Sequence, residues 1–240
     1  MNEGCGVGFL LIHGFIGGPW DLKPLTVFLQ GKGWETEVPV LRGHGEGRNN
    51  LRGVHWREWV EDVEASYDKL SRRCSDIVVI GYSMGGLLGT HVVLRKRVHA
   101  VVYINTPIYC LNFRTIVQNI LKGLAGGNSA RLRKYIRNCV ATPPGAVLQF
   151  SRLMKRMRGK MEGVDVPVLI VQGLEDDTVQ PRSARYIFDQ VQSPVKRLYI
   201  IPKMGHLITG GDFGEEVCCA VAEFLEKTPV GAGNKKLEIE

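Results

Sequence analysis

No stretch of the sequence approaches the about 18 consecutive apolar residues that a membrane-spanning helix needs. Residues 1–9 carry neither a basic cluster nor a long apolar core, so no secretory leader is read there and a cytoplasmic location is the default expectation. The six cysteines, Cys5, Cys74, Cys110, Cys139, Cys218 and Cys219, include no C-x-x-C pair and no regular spacing. That argues against a metal framework and predicts reduced thiols packed as small apolar groups. Internal repeats are absent. Basic stretches interleaved with aromatics and recognition-helix patterns are absent too, so the net charge of +7 does not read as nucleic-acid binding.

What is present suits one soluble domain with an insertion: 240 residues, 44% hydrophobic and 23% charged. The charge is uneven. Residues 111–163 hold eleven Lys and Arg against one acid, Glu162, so that segment carries +10 and the remainder −3.

Short strand-like segments alternate with helical patterns. The strands are read at Val7–Ile12, Trp34–Val40, Ile77–Gly81, Ala100–Asn105, Val166–Gly173 and Val195–Ile201. Val7–Ile12 is continuously apolar rather than alternating, the mark of a strand covered on both faces. Helical spacing runs through Asp21–Lys32, Trp56–Leu70, Gly85–Leu94, Ser183–Val191 and Phe213–Glu226. This order predicts an α/β fold, a mostly parallel sheet of about six strands with helices on both faces. The alternation breaks at the basic stretch, which holds helical segments Ile116–Leu124, Ala130–Val140 and Ala146–Met157 and reads as a small helical cap. The expected division is a core over 1–106, a cap over 107–165, the rest of the core over 166–227 and a flexible tail over 228–240.

Gly81-Tyr82-Ser83-Met84-Gly85 matches G-x-S-x-G between an apolar strand and an apolar helix. A serine on so tight a turn takes strained dihedrals and needs small neighbours, which Gly81 and Gly85 are. A serine hydroxyl needs a base at neutral pH. Of the six histidines, His206 lies just after the last strand, at a carboxyl end where sites of open α/β sheets gather. His91 falls inside a helix and His99 just before a strand; both read as packing or surface residues. The base needs an orienting carboxylate, and Glu175, Asp176 and Asp177 all follow the fifth strand. Asp176 is favoured, since Asp177 suits a cap on the turn at Thr178. For a developing oxyanion the candidate donors are the N–H groups of Met84 and Phe15, with His13 bracing the loop that carries Phe15.

These residues resemble the α/β-hydrolase superfamily, in its small carboxylesterase and monoacylglycerol-lipase-like branch. The resemblance is carried by Leu10-Leu11-Ile12-His13-Gly14-Phe15, Arg42-Gly43-His44-Gly45, Trp56 and Trp59 to Val63, Gly81 to Gly86, Pro107-Ile108-Tyr109, Val171 to Pro181 and Ser193 to Thr209. It implies a cap over the active site, points to Asp176 as the acid, and implies ester hydrolysis through an acyl-enzyme on Ser83 without metal or organic cofactor. The expected substrate is a small-molecule ester of short to medium chain. Monoacylglycerol lipase, thioesterase and acyltransferase activities use the same triad, and a non-catalytic binding protein on this fold is the alternative of another class. The usual N-terminal antiparallel hairpin has no counterpart before Val7, which predicts a trimmed, nearly all-parallel sheet. Phe113, Phe150, Leu153 and Met154 are candidate acyl-pocket residues, core packing being the competing account. The basic cap reads either as solvated helix faces or as a contact with anionic lipid, backed by Ile116, Ile120, Leu121 and Leu124.

Overall fold

The computed structural model describes residues 5–45, 50–110, 142–207 and 212–228. Six strands form one sheet: β1 (Cys5–Ile12), β2 (Glu35–Glu37), β3 (Cys74–Tyr82), β4 (Ala100–Ile104), β5 (Val168–Gly173) and β6 (Lys196–Ile201), in the spatial order β2-β1-β3-β4-β5-β6. All five pairings are parallel. The nearly all-parallel sheet expected from the sequence is therefore what these strands form.

The helices are α1 (Lys23–Gly31), α2 (Trp56–Ser71), α3 (Met84–Val93), α4 (Pro144–Arg158), α5 (Arg182–Gln190) and α6 (Asp212–Lys227). Successive strand residues point to opposite faces. Leu10, Ile12, Val79, Val101 and Ile170 pack with Trp59, Leu87 and Leu153 on one face. Phe9, Leu11, Val78, Ile80 and Val102 pack with Leu25, Leu29, Val221 and Phe224 on the other. Covering both faces explains why the strands read as unbroken apolar runs.

The second strand is shorter than the expected Trp34–Val40. It lies at the sheet edge, and Pro39, which has no N–H to donate, follows two residues after its end. Helix α4 lies on the third helical segment expected of the cap. The other two expected cap helices, the apolar cap residues from Ile116 to Leu124, and all of the expected tail except Thr228 lie outside the described residues. Among the described residues, no helix is long and apolar enough to cross a membrane.

One expectation about sulfur fails. Cys74 is disulfide-bonded, whereas Cys110, Cys218 and Cys219 are free. Spacing along the chain does not reveal which cysteines strand pairing brings together.

Ile80 is fully buried in β3, between β1 and β4. Ile80→Ala is expected to lower the unfolding free energy by about 2–5 kcal/mol, with an unchanged denaturant slope, in urea denaturation followed by circular dichroism.

Candidate active site

Ser83 occupies the turn from β3 into α3 at φ 53° and ψ −122°. A side chain in this region is strained by about 1–3 kcal/mol, and the turn persists because the surroundings leave no alternative. A Cβ on Gly81 would run into the Gly85 carbonyl, and one on Gly85 into the Ile12 carbonyl of β1. The Ser83 N–H donates to the Ile104 carbonyl of β4 at 2.8 Å. The elbow is thus wedged among three strands, with Ser83 only 7% exposed. Met84 opens α3, and a first-turn N–H has no partner inside its own helix.

His206 stands on the loop after β6. Its Nδ1 lies 2.8 Å from Oδ2 of Asp176. Asp176 is held in turn: Oδ1 accepts from the N–H groups of Thr178 at 2.8 Å and Val179 at 2.7 Å. With two backbone donors on one oxygen, the other oxygen faces the imidazole. The remaining acids of the run are exposed, and Asp177 accepts the Thr178 hydroxyl at 3.2 Å. Burial disfavours the imidazolium of His206, but the charge and hydrogen bond of Asp176 outweigh it, so its pKa lies above the usual 6.5.

Two further side chains tie this arrangement together, and sequence reasoning missed both. Asn105, at φ 47° just past β4, donates Nδ2 to the His206 carbonyl at 3.0 Å and the Gly205 carbonyl at 3.2 Å. Its Oδ1 accepts the Gly173 N–H at 2.9 Å. One buried amide thereby joins the ends of β4 and β5 to the histidine loop. The Tyr82 hydroxyl donates to the same His206 carbonyl at 2.9 Å. Asn tolerates the left-handed region better than other side chains, so an Asn ending a buried strand was the available signal.

The loop carrying Phe15 is braced by two buried histidines. His13 Nε2 accepts the Leu41 N–H at 3.3 Å, which requires an unprotonated nitrogen, and burial pushes its pKa down to about 3. Nδ1 then donates to the Gly14 carbonyl at 2.9 Å. His44, its pKa also lowered by burial, donates Nε2 to the Phe15 carbonyl at 2.5 Å. Arg42 anchors the loop bearing His44 through Glu58, Glu61 and Asp62 of α2.

Ser83 and His206 line one cavity of about 200 Å³, floored by Gly14 and Phe15 and walled by Val147, Phe150 and Met154 of α4. The Phe150 ring stacks on Phe15 with centroids 4.9 Å apart. Of the expected pocket residues, Phe150 and Met154 reach this cavity. Leu153 does not: on a helix its side chain turns about 100° from its neighbours', and it is fully buried in the core. Phe113 lies outside the described residues.

A parallel sheet with a serine elbow after one inner strand, an acid after the next but one and a histidine after the last is the arrangement of the α/β hydrolases. The alpha/beta hydrolase family model matches residues 9–218, and the chain belongs to that family. It is 30% identical to a thermostable monoacylglycerol lipase of Bacillus sp. (strain H-257), covering 85% of this chain and 84% of that one. It is 25% identical to a carboxylesterase of Bacillus subtilis (strain 168), over 91% and 92% of the two chains. Among solved structures, a metagenome-derived lipolytic enzyme superposes with a TM-score of 0.78 at 21% identity, over 93% and 95% of the chains.

Asn105→Ala removes all three of these contacts and leaves the Gly173 N–H buried and unpaired. The expected result in urea denaturation is a loss of about 1–3 kcal/mol of stability.

Proposed function

We propose that this protein is a serine carboxylesterase that hydrolyses short- to medium-chain carboxylic esters through an acyl-enzyme on Ser83. The observation that carries the reading is a buried imidazole bonded to Asp176 and sharing a cavity with a serine held on a strained elbow. In this mechanism Ser83 Oγ attacks the ester carbonyl while His206 Nε2 takes its proton. The N–H groups of Phe15 and Met84 receive the tetrahedral oxyanion. Asp176 holds the imidazole in its Nδ1–H tautomer and stabilises the imidazolium, which protonates the departing alcohol. Water then attacks the acyl-enzyme with the same base. The apolar wall formed by Val147, Phe150 and Met154 takes the acyl chain, and α4, as part of a cap over residues 107–165, roofs it.

Monoacylglycerol lipase activity is the second reading, supported by the relative of that name over most of the chain. It keeps every residue in the same role and differs only in the alcohol released.

Hydrolysis of p-nitrophenyl esters from acetate to palmitate tests the reading. An optimum at short to medium chain length is expected, with Ser83→Ala lowering kcat by about 10³–10⁶-fold while the fold is retained. A folded wild-type protein inactive on every ester, or a Ser83→Ala variant as active as wild type, would sink it.

The pH dependence follows from His206. The base must be neutral, so kcat/KM is expected to rise with pH as the imidazolium loses its proton, with an inflection above 6.5 because Asp176 holds the pKa up. Asp176→Asn is expected to move that inflection downward and to cut kcat by about 10⁴-fold. A pH profile that keeps its inflection in Asp176→Asn would remove Asp176 from this role.

A further inference from the structure

Beside the cavity, two arginines share one aromatic ring. Arg158 is the last residue of α4, Arg182 the first of α5, and Tyr109 follows the end of β4. The guanidinium carbons of Arg182 and Arg158 lie 4.2 Å and 4.5 Å from the Tyr109 ring centroid. Arg158 also donates Nη2 to the Tyr109 hydroxyl at 2.8 Å and lies over Tyr186 at 5.3 Å. The platform is fixed from below: the Tyr109 N–H donates to Ser183 Oγ, and the Gln180 N–H donates to the Tyr109 carbonyl, both at 2.9 Å.

Arg42, Arg73, Arg185 and Arg197 face carboxylates. Among the described residues neither Arg158 nor Arg182 has an ion-pair partner. Arg182 opens a helix, where a positive charge also opposes the dipole. Stacking occupies the face of a guanidinium and leaves its in-plane N–H donors at the edge, aligned for an oxyanion. Two such forks suit the several oxygens and the charge of a phosphate better than they suit one carboxylate.

The cluster adjoins the proposed active site. Met154, one turn before Arg158 on α4, lines the cavity, as does Cys110, the neighbour of Tyr109. Residues one turn apart on a helix have Cβ atoms about 5–6 Å apart. We infer that Arg158, Arg182 and Tyr109 form a phosphate-binding subsite at the cavity rim, which favours substrates that combine an acyl ester with a phosphate. This rests on the ester-hydrolase reading above, and its test keeps the two separable.

The test compares octanoylglycerol phosphate with octanoylglycerol. Wild-type protein is expected to show a KM about tenfold lower for the phosphate ester, the worth of one or two charge-assisted hydrogen bonds. The double variant Arg158→Gln with Arg182→Gln is expected to lose that preference while its KM for octanoylglycerol stays put. The pair Lys155→Gln with Arg156→Gln, exposed on the same helix, is expected to keep it. Titration calorimetry on Ser83→Ala, with and without the two arginine changes, reads binding without turnover: about tenfold tighter binding of octanoylglycerol phosphate when both arginines are present. Equal KM values in wild type, a preference surviving the double variant, or one lost equally in the Lys155 and Arg156 pair would overturn the subsite. Inorganic phosphate bound by both arginines without any advantage for the phosphate ester would overturn the substrate assignment and leave a site for the free ion. If neither ester turns over, the calorimetry alone decides the subsite while the proposed activity falls.

Discussion

The constraint on which the rest depends is the turn at Ser83. A non-glycine residue at φ 53° is held only because three strands leave it no other conformation. Gly85 packs on the carbonyl of Ile12, the Ser83 N–H is bound by Ile104, and Gly81 allows α3 to leave β3 without a gap. Each contact comes from a different strand, so the pose of the serine is a property of the sheet. The same wedge brings Gly14 against Ser83.

A second set of bonds converges on the histidine loop. Asn105 and Tyr82 both donate to the His206 carbonyl, fixing the backbone, while Asp176 fixes the ring. The loop is therefore held at both ends of one residue, by groups from β3, β4 and the turn after β5. The two buried histidines of the Phe15 loop contribute differently. His13 bridges the Leu41 N–H and the Gly14 carbonyl, His44 joins the Phe15 and Arg42 carbonyls, and the low pKa of His13 is the consequence of its burial. Of the three, only His206 has a carboxylate bonded to its ring, and only its pKa is raised.

Much of this was legible in the chain. Continuous apolar runs marked the inner strands because both faces of a parallel sheet are covered, and the edge strand was overdrawn past Pro39, which has no N–H for a ladder of hydrogen bonds. Ser83, Asp176 and His206 stood out as candidates because each follows directly on a strand, where side chains collect at one end of the sheet. Asn105 follows a strand too, but its value lies in contacts 68, 100 and 101 positions away, and no local pattern signals those. Leu153 and Met154 read alike as pocket residues; helical rotation separates them, sending one into the core and the other to the cavity.

By itself the sequence determined the order and parallel character of the elements, the glycines that make the elbow possible, and a short set of candidates for its chemistry. These depend on local sterics and on periodicity, which the chain carries residue by residue. Tertiary structure alone decided that Asn105 ties the ends of β4 and β5 to the histidine loop, that Cys74 is bonded rather than free, and that Arg158 and Arg182 both lie over Tyr109. Those outcomes depend on the separation of groups remote in sequence, and that separation exists only once the strands have paired and the helices have docked.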